Sequence, residues 1–196
     1  MAKSVQWSCA CGTVAVDVAL RWGTHLACYC TDCQAYARHL GVLETLDRAG
    51  GTAIFQTVPS RLTVLRGGDR LACLRMSRAP GPLRWYADCC GTPLANTLPT
   101  AKFAFSGVVL AGVADRGALG PVRMQVNTAG ATGPVDDGVG SAARARRHAA
   151  ARALYDRLTG RQRRNLFFHA DGAPVASPHF LTDAQRARAY AAGPMA

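Results

Sequence analysis

The chain has 196 residues, 49% of them hydrophobic, and a formal net charge of +11, enough for one domain with an appendage or two small domains. No run of about 18 apolar residues occurs, so no membrane span is expected. The opening Met1-Ala2-Lys3-Ser4-Val5-Gln6-Trp7-Ser8 has no apolar core of an export signal, which points to the cytoplasm, where thiols stay reduced.

In chain order, Cys9-Ala10-Cys11-Gly12 comes first, followed by Val14, Val16 and Val18 alternating with small or polar residues, the period-2 signal of a half-buried strand. Cys28-Tyr29-Cys30-Thr31-Asp32-Cys33 follows, with a short helix expected over residues 34–40 before Gly41. Further strands are expected at 53–58, 61–65, 71–76, 83–87, 103–110 and 122–126, with Gly67-Gly68-Asp69 as a hairpin turn. Cys89-Cys90-Gly91 lies just after the strand expected at 83–87. Residues 128–140, with Pro134, Asp136 and Asp137, read as a linker. Ser141 can cap a helix that runs to about Thr159 and stops at Gly160, and Thr182-Asp183 can cap a last helix over 184–190. The expected fold is mainly β: small antiparallel sheets clamped by zinc, a short helix after the central cysteine cluster, and a helical extension. Residues 1–127 form the zinc-binding β domain and 128–196 the linker and basic extension.

Seven of the eight cysteines lie in the three clusters and Cys73 stands alone in an apolar strand, the context of a buried free thiol. Disulfides fit poorly, because a Cys-x-Cys or Cys-Cys bridge closes too small a ring. Thiolates on tight turns suit Zn²⁺ instead. In Cys11-Gly12 and Cys90-Gly91 the glycine permits the positive φ that turns backbone N–H groups toward sulfur. Two such knuckles facing each other make a structural site from Cys9, Cys11, Cys89 and Cys90. Cys28, Cys30 and Cys33 then make a second zinc site with three ligands. Its fourth position is either open, as in catalytic zinc sites, or filled by Cys73, His25 or Cys89. Three thiolates leave a soft, weakly acidic metal, better suited to a fourth sulfur than to splitting water. Asp32, inside the turn, is a candidate acid or base or an ordinary turn residue. Arg38 and His39 are placed to meet substrate carboxylates or solvent. Trp85 and Tyr86 read as core or pocket wall, and Asn96 as a ligand contact or a turn residue.

The order Cys-x-Cys-Gly, Cys-x-Cys-x-x-Cys and Cys-Gly-Thr-Pro-Leu, at residues 9–12, 28–33 and 90–94, resembles the family of the glutathione-dependent formaldehyde-activating enzyme and centromere protein V, over about residues 5–127. The resemblance implies a β-sheet zinc fold, with a structural zinc on the outer clusters and a catalytic zinc on the middle triad. It also implies a carbon–sulfur lyase acting on the adduct of glutathione and formaldehyde. One position departs from the family: its last motif is Cys-x-x-Cys-Gly, whereas here Ala87 stands three before Cys90 and the extra cysteine is Cys89.

Two functions are carried forward. One is the zinc-dependent lyase with a small thiol substrate. The other is a non-catalytic zinc module whose basic helix binds a protein or nucleic acid. The charge is nearly all arginine, Lys3 and Lys102 being the lysines, and eight arginines fall between 144 and 164. No recognised nucleic-acid module accompanies them.

Overall fold

The computed structural model describes residues 3–135 and 140–191. Met1 and Ala2, and Asp136 and Asp137 of the expected linker, lie outside the described residues. The fold is mainly β, with eleven strands in two sheets and three α-helices among the described residues. None of the described helices is long and apolar enough to cross a membrane.

The smaller sheet is antiparallel and holds β1 (Ser4–Ser8), β2 (Ala15–Ala19) and β5 (Leu62–Arg66) in the order β1-β2-β5. The larger contains β3 (Thr24–Cys28), β4 (Thr52–Thr57), β6 (Leu71–Arg75), β7 (Leu83–Ala87), β8 (Pro93–Thr97), β9 (Ser106–Val109), β10 (Met124–Val126) and β11 (His179–Phe180), in the order β10-β3-β4-β9-β8-β7-β6-β11. Its six central strands pair antiparallel, and the edge strands β10 and β11 pair parallel to β3 and β6. Gly67-Gly68-Asp69 does not close a hairpin: β5 pairs with β2 and β6 with β7, so this turn carries the chain from one sheet to the other.

The valine alternation of β2 behaves as its period requires. Val14, Val16 and Val18 are all at most 1% exposed and pack with Trp7, Trp85, Leu94 and Val108 between the sheets. Residues beyond 127 share this core. Phe167 is fully buried, with its ring centroid 5.0 Å from that of Trp85, and Phe168 packs beside it. Thr132 donates its N–H to the Ala49 carbonyl, and Gly130 accepts from the Gln34 side chain, so the described part of the linker lies against the β core.

Helix α1 (Thr31–Leu40) begins three residues before its sequence expectation, because Cys30 itself is the N-cap, accepting from the Cys33 N–H. It ends at Gly41 in the left-handed conformation. Helix α2 (Ala142–Leu158) is capped by Ser141, and α3 (Asp183–Tyr190) by a capping box of Thr182 and Gln185. Tyr36 of α1 and Ala189 of α3 fall in one apolar cluster.

Candidate metal centres

Two groups of cysteines have all their sulfurs within 4.8 Å of one another: Cys9, Cys11, Cys89 and Cys90, and Cys28, Cys30 and Cys33. All eight cysteines are free thiols.

The first group is built from two turns some 80 residues apart. After β1 the chain folds back, with Gly12 N–H donating to the Cys9 carbonyl and Val14 N–H reaching Cys9 Sγ at 3.2 Å. After β7, Cys90 and Gly91 N–H both donate to the Ala87 carbonyl. Gly12 and Gly91 take φ of +75° and +71°, the conformation that only glycine enters without strain. Ala10 N–H donates to Thr92 Oγ1 and joins the knuckles directly. The sulfur separations are 3.5 Å for Cys9–Cys11, 3.8 Å for Cys9–Cys89, 3.3 Å for Cys11–Cys89 and 3.9 Å for Cys89–Cys90. Four sulfurs tetrahedrally placed about 2.3 Å from one ion stand about 3.8 Å apart, so the donor set fits a tetrahedral metal. Hydrogen bonds with Thr13, and then with Cys89 and Cys9, hold the Cys11 thiol down at about 6. The sulfur of Cys89, the displaced cysteine, thus lies with this cluster and not with the triad.

The second group sits at a sheet end and a helix start. Cys28 is the last residue of β3, Cys30 caps α1, and Cys33 lies in its first turn. Cys28 and Cys33 sulfurs are 3.9 Å apart. The positive end of the helix dipole faces the cluster and favours thiolate. Asn127 Nδ2 donates to Cys28 Sγ at 3.2 Å, and Arg84 Nη1 to Cys33 Sγ at 3.5 Å. Arg84 is 2% exposed. The β7–β8 register sets it opposite Asn96, whose Oδ1 accepts from Nη1 at 3.1 Å, and its guanidinium stacks 5.3 Å from the Tyr36 ring centroid. Contacts with Cys28 and Cys30 hold Cys33 well below the usual thiol range, and Arg84 adds to this against the opposing effect of burial. Cys30 is pushed far up by the contacts with Cys28 and Cys33. For Cys28, the contact with Cys30 acts downward, but the contact with Cys33 and burial outweigh it and push the thiol up to about 11. The buried Arg84 guanidinium thus lies beside Cys33, the thiol of the triad that its surroundings make most acidic.

None of the three candidates for a fourth ligand reaches the triad. Cys73 is buried in the core between the sheets, His25 Nδ1 lies 2.8 Å from the Gly120 carbonyl oxygen, and Cys89 is in the other cluster. Among the described residues no fourth His, Cys, Asp or Glu joins the three. Asp32 is half-exposed. Its Oδ1 accepts from Tyr190 Oη at 2.5 Å and its Oδ2 lies 3.7 Å from Arg84 Nη2. Arg38 donates to the Ala189 carbonyl, Trp85 is core with its Nε1 on Thr97, and Tyr86 packs edge-on to His179. Sequence reasoning missed Arg84, Asn127 and Tyr190 as partners of this site. The one signal for Arg84 was a charged residue inside the apolar run Leu83-Arg84-Trp85.

Fold and sites together define a mainly β protein with two thiolate clusters that could each hold a metal ion. The chain belongs to DUF6151, a family of unknown function, whose sequence profile matches residues 1–176. No curated protein matches it. Among solved structures it is similar to a crystal structure of a Rhodobacter sphaeroides protein from a structural-genomics programme, with 21% identity and a TM-score of 0.42, over 61% of this chain and 98% of that one.

Proposed function

We propose that the chain is a zinc-dependent carbon–sulfur lyase-like protein, cytoplasmic, that acts on a thiol–aldehyde adduct of the S-hydroxymethylglutathione type. The observation that carries this reading is the triad of Cys28, Cys30 and Cys33, with no fourth donor among the described residues and a separate four-cysteine cluster available for structure. The order of the three cysteine motifs, which resembles that of the formaldehyde-activating enzymes, supports it. Zn²⁺ held by Cys28, Cys30 and Cys33 supplies a soft Lewis acid that prefers a further sulfur ligand to water.

The surrounding residues do the rest. Arg84, Asn127 and the start of α1 offset the negative charge of the thiolates. Tyr190 and Arg84 orient the Asp32 carboxylate, and the same Arg84 reaches Cys33 of the triad. In cleavage the adduct's C–S bond breaks with its electron pair left on sulfur, the hydroxyl O–H bond breaks, and the C=O bond forms. Asp32 Oδ2 takes the hydroxyl proton.

The test is proton NMR of the equilibrium between formaldehyde and glutathione with catalytic amounts of zinc-loaded protein. Accelerated exchange between free and adducted formaldehyde is expected, lost in Cys30→Ser and reduced in Asp32→Asn. If the loaded protein neither forms nor splits an adduct with glutathione, cysteine or another small thiol, the lyase reading is wrong.

A further inference from the structure

One wall of a groove of about 970 Å³ is helix α2, and the facing wall is formed by Trp22–Thr24 and Pro121–Met124. Its volume lies in the range of small-molecule sites. Arg123, Arg144, His148 and Arg152 line it, and no acidic residue does among the described residues. Arg152 is 5% exposed, and its guanidinium donates to the Trp22 carbonyl, Thr24 Oγ1 and, at 2.9 Å, Gln56 Oε1. All three acceptors are neutral, so a buried positive charge at the groove has no carboxylate partner among the described residues. Burial, with Arg61 adding to it, holds Arg152 down at about 10. His148 is held below its usual range by burial and by Arg152, Arg144 and Arg147. Asp156, the sole acid of α2, is bonded to Ser60 and is not part of the groove lining.

The rest of the lining is apolar and unevenly placed. Leu154, Tyr155 and Leu158 follow the basic positions along α2, and the two leucines are 57% and 77% exposed. Trp22 stands edge-on to Tyr155 at 4.7 Å and is 50% exposed, on a backbone of φ +62°, a conformation uncommon for a bulky side chain. From Arg144 to Leu158 the helix rises about 21 Å at about 1.5 Å per residue. Along α2 the lining therefore passes from Arg144 and His148 to the exposed Leu154 and Leu158, while Arg21 and Arg61 stack on the Trp22 ring and Arg161 on that of Tyr155.

We propose that this groove binds an anionic single-chain amphiphile, a long-chain carboxylate. Its headgroup lies at Arg123 and Arg144, and its tail runs along Leu154, Leu158 and Trp22. Covering the exposed leucines and indole removes apolar surface from water, and the carboxylate meets guanidinium groups that form no ion pair among the described residues.

The fold supplies its own reporter. Of three tryptophans, Trp7 and Trp85 are fully buried, so Trp22 is the one a ligand can reach. The 196-residue protein is titrated with dodecanoate below its micelle concentration, with indole emission and calorimetry as readouts. Saturable one-to-one binding with a blue shift is expected. Arg123→Ala with Arg144→Ala weakens it at least tenfold, and so does Leu158→Asp, a change at an exposed position. Dodecyltrimethylammonium, with the same tail and the opposite charge, does not saturate. Absence of a saturable signal, equal binding of the cation, or an affinity that neither variant moves would each overturn the proposal.

Discussion

Arg84 is the residue on which the triad's charge rests. A divalent ion with three thiolates carries a net negative charge, and the guanidinium 3.5 Å from Cys33 Sγ is the buried cation beside it. Arg84→Met is expected to lower metal affinity at the triad roughly 10- to 100-fold, the usual effect of losing an outer partner of a ligand. The four-cysteine site should be unaffected, and Arg84→Lys should recover part of the loss. Competition against a chromophoric chelator reads both sites, and an unchanged triad affinity in Arg84→Met would refute this role. Cys73 behaves in the opposite way. Burial pushes its thiol up to about 12, so the folded chain keeps it protonated while the unfolded chain ionises it near 9. Its contribution to stability is therefore intact below about pH 9 and declines as pH rises from there toward 12. Native protein at pH 9 should leave Cys73 unalkylated by iodoacetamide, and Cys73→Ala should bind as many metal ions as the parent.

Elements were legible where an apolar or alternating run is long enough to stand out and obscure where it is not. The strands β2, β4, β5, β6, β7, β9 and β10 each overlap an apolar or alternating run. β8 escaped because Pro93-Leu94-Ala95-Asn96-Thr97 is buried at every position and so shows no alternation, and because its opening proline reads as a turn. β1 and β3 are five-residue strands with Ser, Gln, Thr and His among few aliphatics. The cysteines were legible because ligand spacing is local. Arg84, Asn127 and Tyr190 were not, since they meet Cys33, Cys28 and Asp32 across 51, 99 and 158 residues. That reach also binds the carboxy-terminal part to the β core. Phe167, fully buried against Trp85, makes the case testable. Phe167→Ala should destabilise the whole protein by about 3–5 kcal/mol, in a single transition that includes the β-sheet signal. A β transition left unmoved would show that residues beyond 127 fold independently.

At the scale of the molecule the two clusters differ in what they join. Cys28, Cys30 and Cys33 lie within six residues, so a metal there closes almost no chain. Cys9 and Cys11 meet Cys89 and Cys90 across some 80 residues, and a metal there links the start of the small sheet to the β7–β8 turn of the large one. Removing the loop entropy of a segment that long stabilises by roughly 4 kcal/mol if the metal acts as a disulfide would. For a chain of this size that corresponds to about 10 °C in Tm. The hypothesis that the outer cluster is structural and the triad functional thus predicts an asymmetry. Zinc-loaded Cys11→Ser should lose one ion and melt about 10 °C lower. Cys30→Ser should also lose one ion, yet melt within a few degrees of the parent, because α1 keeps a polar N-cap in serine. Calorimetry with metal analysis on the two variants decides it. Equal melting losses would mean that both ions are structural, and the triad would then have no claim to chemistry.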